Sequence, residues 1–325
     1  MSTSRLRTAL TEGSLSLPEG RIAVLRPPAQ FDMDALPREA VQVVHSFRPD
    51  VDAWEGAGYP VSRGIQGEIA VAVVVVPRAK ALARAVLAEA AARADLVVVD
   101  GQKTDGVDSL YKACRQVLGD LPTLTKGHGR LFWFAGRTDQ FDGWAVGEPV
   151  EGPHGYYTTA GVFSDGAVDP GSKLLAEALP EKLPARMADL GAGWGYLAGE
   201  VLKNPGVRSL DLIEAEALAL DCARLNVTDP RARFHWADAT RFAPEAPYDA
   251  IVMNPPFHQA RAADVRLGQA FIAAARRMLT PNGKLWMVAN RHLPYEAVLT
   301  ESFRHVDMIG GSNAFKLFAA SRPLR

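Results

Sequence analysis

Cysteine is nearly absent from this 325-residue chain: only Cys114 and Cys222 occur. Two thiols are too few for a disulfide framework or a four-thiolate metal site, and they suit a reducing compartment in which both sit inert in a core. An excess of charge of one sign is missing as well. With 36 Lys+Arg against 37 Asp+Glu the formal net charge is −1, so the long-range field that draws a basic protein onto any polyanion is lacking, and a purely electrostatic nucleic-acid binder is excluded. Long hydrophobic runs are also missing. The longest, residues 69–76, falls far short of the roughly 20 apolar residues that span a bilayer. The opening Met1-Ser-Thr-Ser-Arg5 has no signal-peptide core, so the expectation is a cytoplasmic protein, off the membrane and without a metal site. What remains is an ordinary globular composition, 48% apolar, whose length suits two domains of roughly 100–200 residues each.

Residues 68–76 are short, β-branched and apolar on both faces, as in a strand buried in a parallel sheet. Pro77 ends that run. Leu82, Val86, Leu87 and Ala90 then recur at helical spacing, residues 96–99 read as a second strand, 107–118 as a helix and 129–135 as a third strand. Strand and helix alternate, which marks an α/β unit. Residues 139–170 are rich in Gly, Pro, Tyr and Asp without a sustained period, so the domain junction is placed there and the expected domains are 1–150 and 151–325. Alternation restarts with strands at 186–190, 209–213, 232–235, 248–253, 283–289, 304–309 and 315–321, and helices at 172–179, 196–202, 216–226, 265–279 and 295–303. The last two strands are joined by Gly310-Gly-Ser-Asn313, too short for a crossover helix, so they should pair antiparallel on a sheet otherwise parallel. Two α/β halves follow one another with no residue-level repeat between them.

The sharpest motif is Ala188-Asp-Leu-Gly-Ala-Gly-Trp-Gly195, after a strand and before a helix. Gly191, Gly193 and Gly195 let the backbone turn tightly and approach a ligand at the open end of a sheet, and the helix behind them starts with free N–H groups. A plain strand-to-helix turn is the bland alternative, since a glycine triplet is weak evidence by itself. The spacing is Gly-x-Gly-x-Gly, not the Gly-x-Gly-x-x-Gly that seats a pyrophosphate, which lowers a dinucleotide reading. Glu214 ends the next strand, where a carboxylate can accept from a ribose diol; a solvated acid at a helix start is the alternative. Asp238, in Trp236-Ala-Asp-Ala239, lies at the same rim and can accept from an adenine amino group, or else cap the following turn.

The deciding motif is Met253-Asn-Pro-Pro-Phe-His258. Pro255 and Pro256 stiffen the backbone and cannot donate, so carbonyls there are held outward. The Asn254 side-chain oxygen and the Pro255 carbonyl can together accept both hydrogens of a planar exocyclic amine, drawing its nitrogen lone pair out of conjugation. Phe257 offers a face for a base taken out of its stack. The alternative is a rigid turn with a core Phe.

With these motifs in this order, residues 161–325 resemble a class I S-adenosylmethionine-dependent methyltransferase. Gly161-Val-Phe-Ser164, Asp169-Pro-Gly-Ser172, His258 and Val288-Ala-Asn-Arg-His-Leu-Pro-Tyr295 extend the likeness to the ribosomal RNA guanine-N2 methyltransferases of the RsmC/RlmG type. The resemblance implies two tandem Rossmann-like methyltransferase domains. The C-terminal one would hold a seven-stranded, mostly parallel sheet with an antiparallel terminal hairpin; the N-terminal one would be degenerate, without a cofactor loop, and would dock RNA. It also implies S-adenosylmethionine as cofactor, held by Phe163, Ser164, Asp189, Gly191, Gly193, Gly195, Glu214, Asp238, Ala239 and Asn254, with residues 161–172 closing over it. Asn254, Pro255, Pro256 and Phe257 would act on the amine, and Phe257, His258 and Arg291 would meet the substrate. Its partner is ribosomal RNA or a ribosomal subunit, with small-subunit RNA favoured, and the chain is expected to be a monomer. An imidazole base is not required, because the neutral amine becomes acidic only as the methyl arrives.

Rivals are a methyltransferase of protein glutamine or DNA adenine, a nicotinamide oxidoreductase, which leaves the Asn254 turn unexplained, and a non-catalytic RNA-binding factor. Residues 1–151 carry 17 Lys+Arg against 19 Asp+Glu and residues 152–325 carry 19 against 18, so RNA must be met by local patches. Candidates are Arg276-Arg277, Arg291-His292, Arg304-His305, Arg322 and Arg325, with Arg5 and Arg7 weaker on an N-terminal segment read as mobile.

Overall fold

The β-branched run expected to be a buried strand is one: Ile69–Val75 (β4) has six of seven residues buried between two parallel neighbours. The computed structural model describes residues 4–152, 154–162, 167–256 and 262–324, with side chains from 265 onward in the last segment. The chain divides into two units, Met1–Glu148 and Pro149–Arg325. In unit 1, β4 joins β1 (Ile22–Leu25), β2 (Val41–Val44), β3 (Val61–Ser62), β5 (Ala94–Gln102), β6 (Thr123–Lys126) and β7 (Gly129–Ala135) in the order β3-β2-β1-β4-β5-β7-β6. The pairs among β1 to β5 are parallel, whereas β7 runs antiparallel to both neighbours.

The N-terminal segment read as mobile is instead a helix, α1 (Arg5–Thr11), capped by Ser4. Leu6 and Ala9 are fully buried in the core of unit 1. Arg5 is buried too and donates through Nε to Asp100 at 2.6 Å, while Arg7 pairs with Asp32 at 2.9 Å. The Arg5 guanidinium is committed to structure, because an arginine enters a core only with a carboxylate to meet it, whereas Arg7, its side chain 42% exposed, sits in a surface ion pair.

Unit 2 repeats the strand order. After a short hairpin of β8 (Val150–Glu151) and β9 (Tyr157–Thr158), β10 (Arg186–Leu190), β11 (Ser209–Glu214), β12 (Ala232–Trp236), β13 (Tyr248–Met253), β14 (Leu279–Asn290), β15 (Phe303–Gly311) and β16 (Phe315–Pro323) form a sheet ordered β12-β11-β10-β13-β14-β16-β15. The last two strands pair antiparallel as expected, as do β14 and β16. Alternation along β13 sends Ile251 and Met253 to one face and Ala250 and Val252 to the other, so both faces are apolar and both need helices. In unit 1 the helices after α1 are α2 (Arg48–Gly56), α3 (Lys80–Arg93) and α4 (Val107–Leu118), and those of unit 2 are α5 (Pro170–Ala178), α6 (Tyr196–Leu202), α7 (Ala217–Asn226), α8 (Ala262–Met278) and α9 (Glu296–Ser302).

This topology positions the site. Strands β10 to β13 are parallel, so their carboxyl ends share one rim, and the order reverses between β10 and β13. A crevice opens at such a switch point. In unit 1 the counterpart has changed: the chain leaves β1 through Arg26-Pro27-Pro28, where neither proline can donate, and reaches β2 by way of a single 3-10 turn, Arg38–Ala40, instead of a helix. Trp54, buried, donates from Nε1 to the Pro27 carbonyl at 2.9 Å and fixes that altered turn. Among the described residues no helix is long and apolar enough to cross a membrane.

Candidate active site

The glycine loop is stitched to its neighbour strand: the amides of Gly191 and Ala192 donate to the Ile213 carbonyl at 2.9 and 3.2 Å. Gly191, Gly193 and Gly195 all hold positive φ, at 72°, 55° and 93°, a region costly for residues with a Cβ. A Cβ at Gly195 would lie 2.8 Å from Val227 Cγ2, whereas one at Gly193 would meet nothing within 4 Å among the described residues. Gly195 thus serves packing, and Gly193 leaves open space beside the backbone. Asn226, which sequence reasoning missed, locks the loop from behind by donating to the Trp194 and Tyr157 carbonyls at 2.9 Å each.

Glu214 sits at the end of β11 and reaches into this loop. Its Oε2 accepts from the Gly193 amide and its Oε1 from the Glu216 amide, both at 2.8 Å. Burial raises its pKa, and those amides oppose the rise. Asp189, on β10, is 1% exposed, and neither carboxylate oxygen has a hydrogen-bond partner among the described residues. Burial first, and the nearby Glu214 charge second, push its pKa up to about 8. The folded chain thus keeps a proton there that the unfolded chain releases near its ordinary value of 3.8, so this contribution to stability is complete below about pH 4 and is lost as pH rises through about 8. Asp189→Asn removes the titration. Its thermal midpoint should change less between pH 5 and pH 8 than that of the unaltered chain, with each kcal/mol worth about 2–4 °C for a unit of this size. Identical pH profiles would show that Asp189 is ionised throughout.

Asp238 is engaged locally: Oδ1 accepts from the Thr240 amide at 2.8 Å and its hydroxyl at 2.7 Å, and the Asp238 carbonyl accepts from Arg241 and Phe242. The carboxylate caps a turn while Oδ2 keeps its capacity to accept. Ala239 is 4% exposed and packs in the core with Ile213 and Met253, so its side chain serves the sheet. Arg291 donates to the carbonyls of Ser312 and Phe315 at 2.7 and 3.4 Å and holds the turn between β15 and β16. Arg276 and Arg277 likewise donate to backbone, at Leu324 and Phe242. Phe163, Ser164, Phe257 and His258 lie outside the described residues.

Asn254 follows β13, and its amide nitrogen donates to Asp169 Oδ2 at 2.9 Å and Ser172 Oγ at 2.8 Å. Asp169 also caps α5, accepting the Ser172 amide at 2.7 Å. Asp169 Oδ2 accepts this hydrogen bond, so the amide is oriented: Nδ2 faces α5 and Oδ1 meets no donor among the described residues. The negative charge behind Nδ2 polarises the amide and makes Oδ1 the stronger acceptor. This bracing by Asp169 and Ser172 is a role that sequence reasoning missed. One concavity is lined by Asp169, Ser172, Gly191, Gly193, Tyr196 and Asn254, so the glycine loop and the oriented amide open onto a common space.

A seven-stranded sheet of this order, with its crevice between the first and fourth strands, defines a class I methyltransferase fold. Residues 155–319 match the methyltransferase small domain, and the chain belongs to that family. Ribosomal RNA small subunit methyltransferase C of Shewanella halifaxensis is 31% identical over 262 residues, 76% of each chain. Its namesake from Hahella chejuensis is 27% identical over 329 residues, 93% of this chain and 94% of that one. The protein of that name from Psychromonas ingrahamii reaches 36% over 160 residues, which span 49% of this chain and 46% of its own length. Among solved structures, the Thermus thermophilus 16S rRNA N2 G1207 methyltransferase in complex with AdoMet and guanosine superposes with a TM-score of 0.79 at 23% identity, covering 98% of this chain and 92% of that one. That likeness extends the shared fold through both units.

Proposed function

We propose that this chain transfers a methyl group from S-adenosylmethionine to the exocyclic N2 of a guanine in ribosomal RNA, with small-subunit RNA the favoured target. The observation that carries this reading is the orientation of Asn254, held by Asp169 and Ser172 so that Oδ1 can only accept. The curated relatives bear names of ribosomal RNA small subunit methyltransferases, which supports the choice of substrate.

The residues present suit the cofactor. Gly193 leaves room where a Cβ would stand, Glu214 stands at the strand end with lone pairs to spare for a ribose diol, Asp238 retains Oδ2 for an adenine amine, and Asp189 adds a buried acid beneath the loop. When bound, S-adenosylmethionine supplies an electrophilic methyl on a sulfonium. The chain's own work is to hold the amine: Asn254 Oδ1 and the Pro255 carbonyl accept its two hydrogens, which turns the nitrogen pyramidal and frees its lone pair. Pro256 stiffens the turn, Phe257 stacks the extruded base, and His258 and Arg291 meet the nucleotide. Phe163 and Ser164 are assigned to the methionine portion, and Ala239 contributes through its backbone. Unit 1, whose β1 turn has prolines in place of a glycine loop, docks the RNA. The enzyme works as a cytoplasmic monomer without a metal.

Glu214→Ala should weaken S-adenosylmethionine binding by about 1.5–3 kcal/mol, the range for a hydrogen bond to a charged group, which is roughly ten- to hundredfold in calorimetry. Tight binding of NAD with none of S-adenosylmethionine would overturn the reading. Incubating the protein with labelled S-adenosylmethionine and small-subunit RNA, then mapping N2-methylguanine, tests the whole assignment; label appearing instead on adenine or on protein would reassign the substrate.

A further inference from the structure

The two units share one strand order, so each turn on the rim of unit 2 has a counterpart in unit 1. The acceptor turn of unit 2 leaves β13 after Met253; its counterpart leaves β4 after Val75 and reads Val76-Pro77-Arg78 where unit 2 has Asn254-Pro255-Pro256. The first proline is kept. The acceptor amide is replaced by a buried valine, 5% exposed, and the second proline by an exposed arginine. Gly101, at the end of β5, lets the two strand ends close together, since a Cβ there would lie 2.8 Å from Val76 Cβ.

The concavity above this turn is lined by Arg78, Lys80, Arg84 and Lys103 with the hydroxyl residues Thr104 and Ser109, against one acid, Asp105. Two of the cations are already held in place. Arg78 Nε lies 3.4 Å from Asp105 Oδ1, and the Arg84 guanidinium lies 4.9 Å from the centre of the Trp144 ring, so binding would cost little of their side-chain freedom. Lys80 opens α3 (Lys80–Arg93) and Lys103 begins the 3-10 turn after β5, and both are exposed. A place that accepts hydrogens in unit 2 has become one that offers them. In a unit with 17 cations against 18 acids over residues 1–148, such a local excess is where an anion would be drawn.

We propose that this concavity of unit 1 holds a backbone phosphate of the RNA substrate. The inference rests on RNA being the substrate, as argued above. The test compares the full-length chain with Lys80→Glu/Lys103→Glu and with the charge-preserving Lys80→Arg/Lys103→Arg, measuring anisotropy of a labelled small-subunit RNA transcript over a salt series. Charge reversal should lower affinity at least about tenfold at low salt and reduce the slope of log K against log salt by about one for each phosphate no longer neutralised, while the arginine pair binds as the unaltered chain does. S-adenosylmethionine affinity should be the same in all three. Equal RNA affinity and equal salt slopes would overturn the proposal, and so would tight calorimetric binding of inorganic phosphate that charge reversal abolishes without touching RNA affinity, because the site would then serve small anions. Methyl transfer by the unaltered chain, assayed in the same samples, separates the two levels: if it neither binds nor methylates the transcript, the RNA reading fails first.

Discussion

Asn254→Ala should lower the rate of methyl transfer roughly 100- to 1000-fold while S-adenosylmethionine affinity stays nearly unchanged. The target amine is planar in the ground state and becomes an acceptor of methyl only as its nitrogen turns pyramidal, so its hydrogen bonds strengthen toward the transition state. Losing one such oriented acceptor costs about 2.7–4 kcal/mol by analogy with oxyanion-hole deletions. Orientation matters as much as presence. Ser172→Ala removes one of the two groups that fix Nδ2 and leaves the Asp169 carboxylate, which still accepts at 2.9 Å, so its rate should fall by a smaller factor with an unchanged Michaelis constant. Single-turnover rates at saturating RNA read both effects, because a defect of binding disappears at saturation and a defect of transition-state stabilisation persists. If Asn254→Ala turns over at the unaltered rate, the turn is merely structural and the amine-methylation reading fails with it.

The elements legible in the sequence were those whose pattern is local. A run such as 69–75, apolar on both faces, has no stable place except inside a parallel sheet, and the β10 to α6 turn announces itself by three glycines that all hold positive φ. The antiparallel closing hairpin followed from the length of one turn. Strands β1, β2 and β3 were not legible, because four, four and two residues are too short to show a period, and they are fixed by pairing with partners up to 49 positions away, as Ile22 is with Val71. The same reason hid the bracing of the site. Asp169 and Ser172 meet Asn254 across separations of 85 and 82 residues, and Asn226 meets Tyr157 across 69. Asp169 announces a helix start through the proline that follows it, yet nothing local says that the same carboxylate orients an amide on another strand.

The glycine loop can be divided by substitution. Gly195→Ala should be strongly destabilising, because the residue caps α6 at φ 93° and the new Cβ would stand 2.8 Å from Val227 Cγ2 and 3.4 Å from Ala223 Cβ. A left-handed backbone costs a residue with a side chain about 1–2 kcal/mol, and forcing a methyl into a packed helix contact adds about 1–3 kcal/mol. At about 2–4 °C for each kcal/mol in a unit of this size, the thermal midpoint should fall by several degrees at least. Gly193→Ala bears the first cost without the second, since its Cβ meets nothing within 4 Å among the described residues, and its midpoint should fall much less. Its cost appears elsewhere. Gly193 lines the concavity it shares with Asn254, and a methyl in that open space stands where the backbone must come close to a ligand, so S-adenosylmethionine affinity should drop at least about tenfold in calorimetry at a temperature where both variants are folded. If the two alanines lower the midpoint equally and leave that affinity untouched, the loop is a turn that packs well, and the cofactor is held somewhere other than beside Gly193.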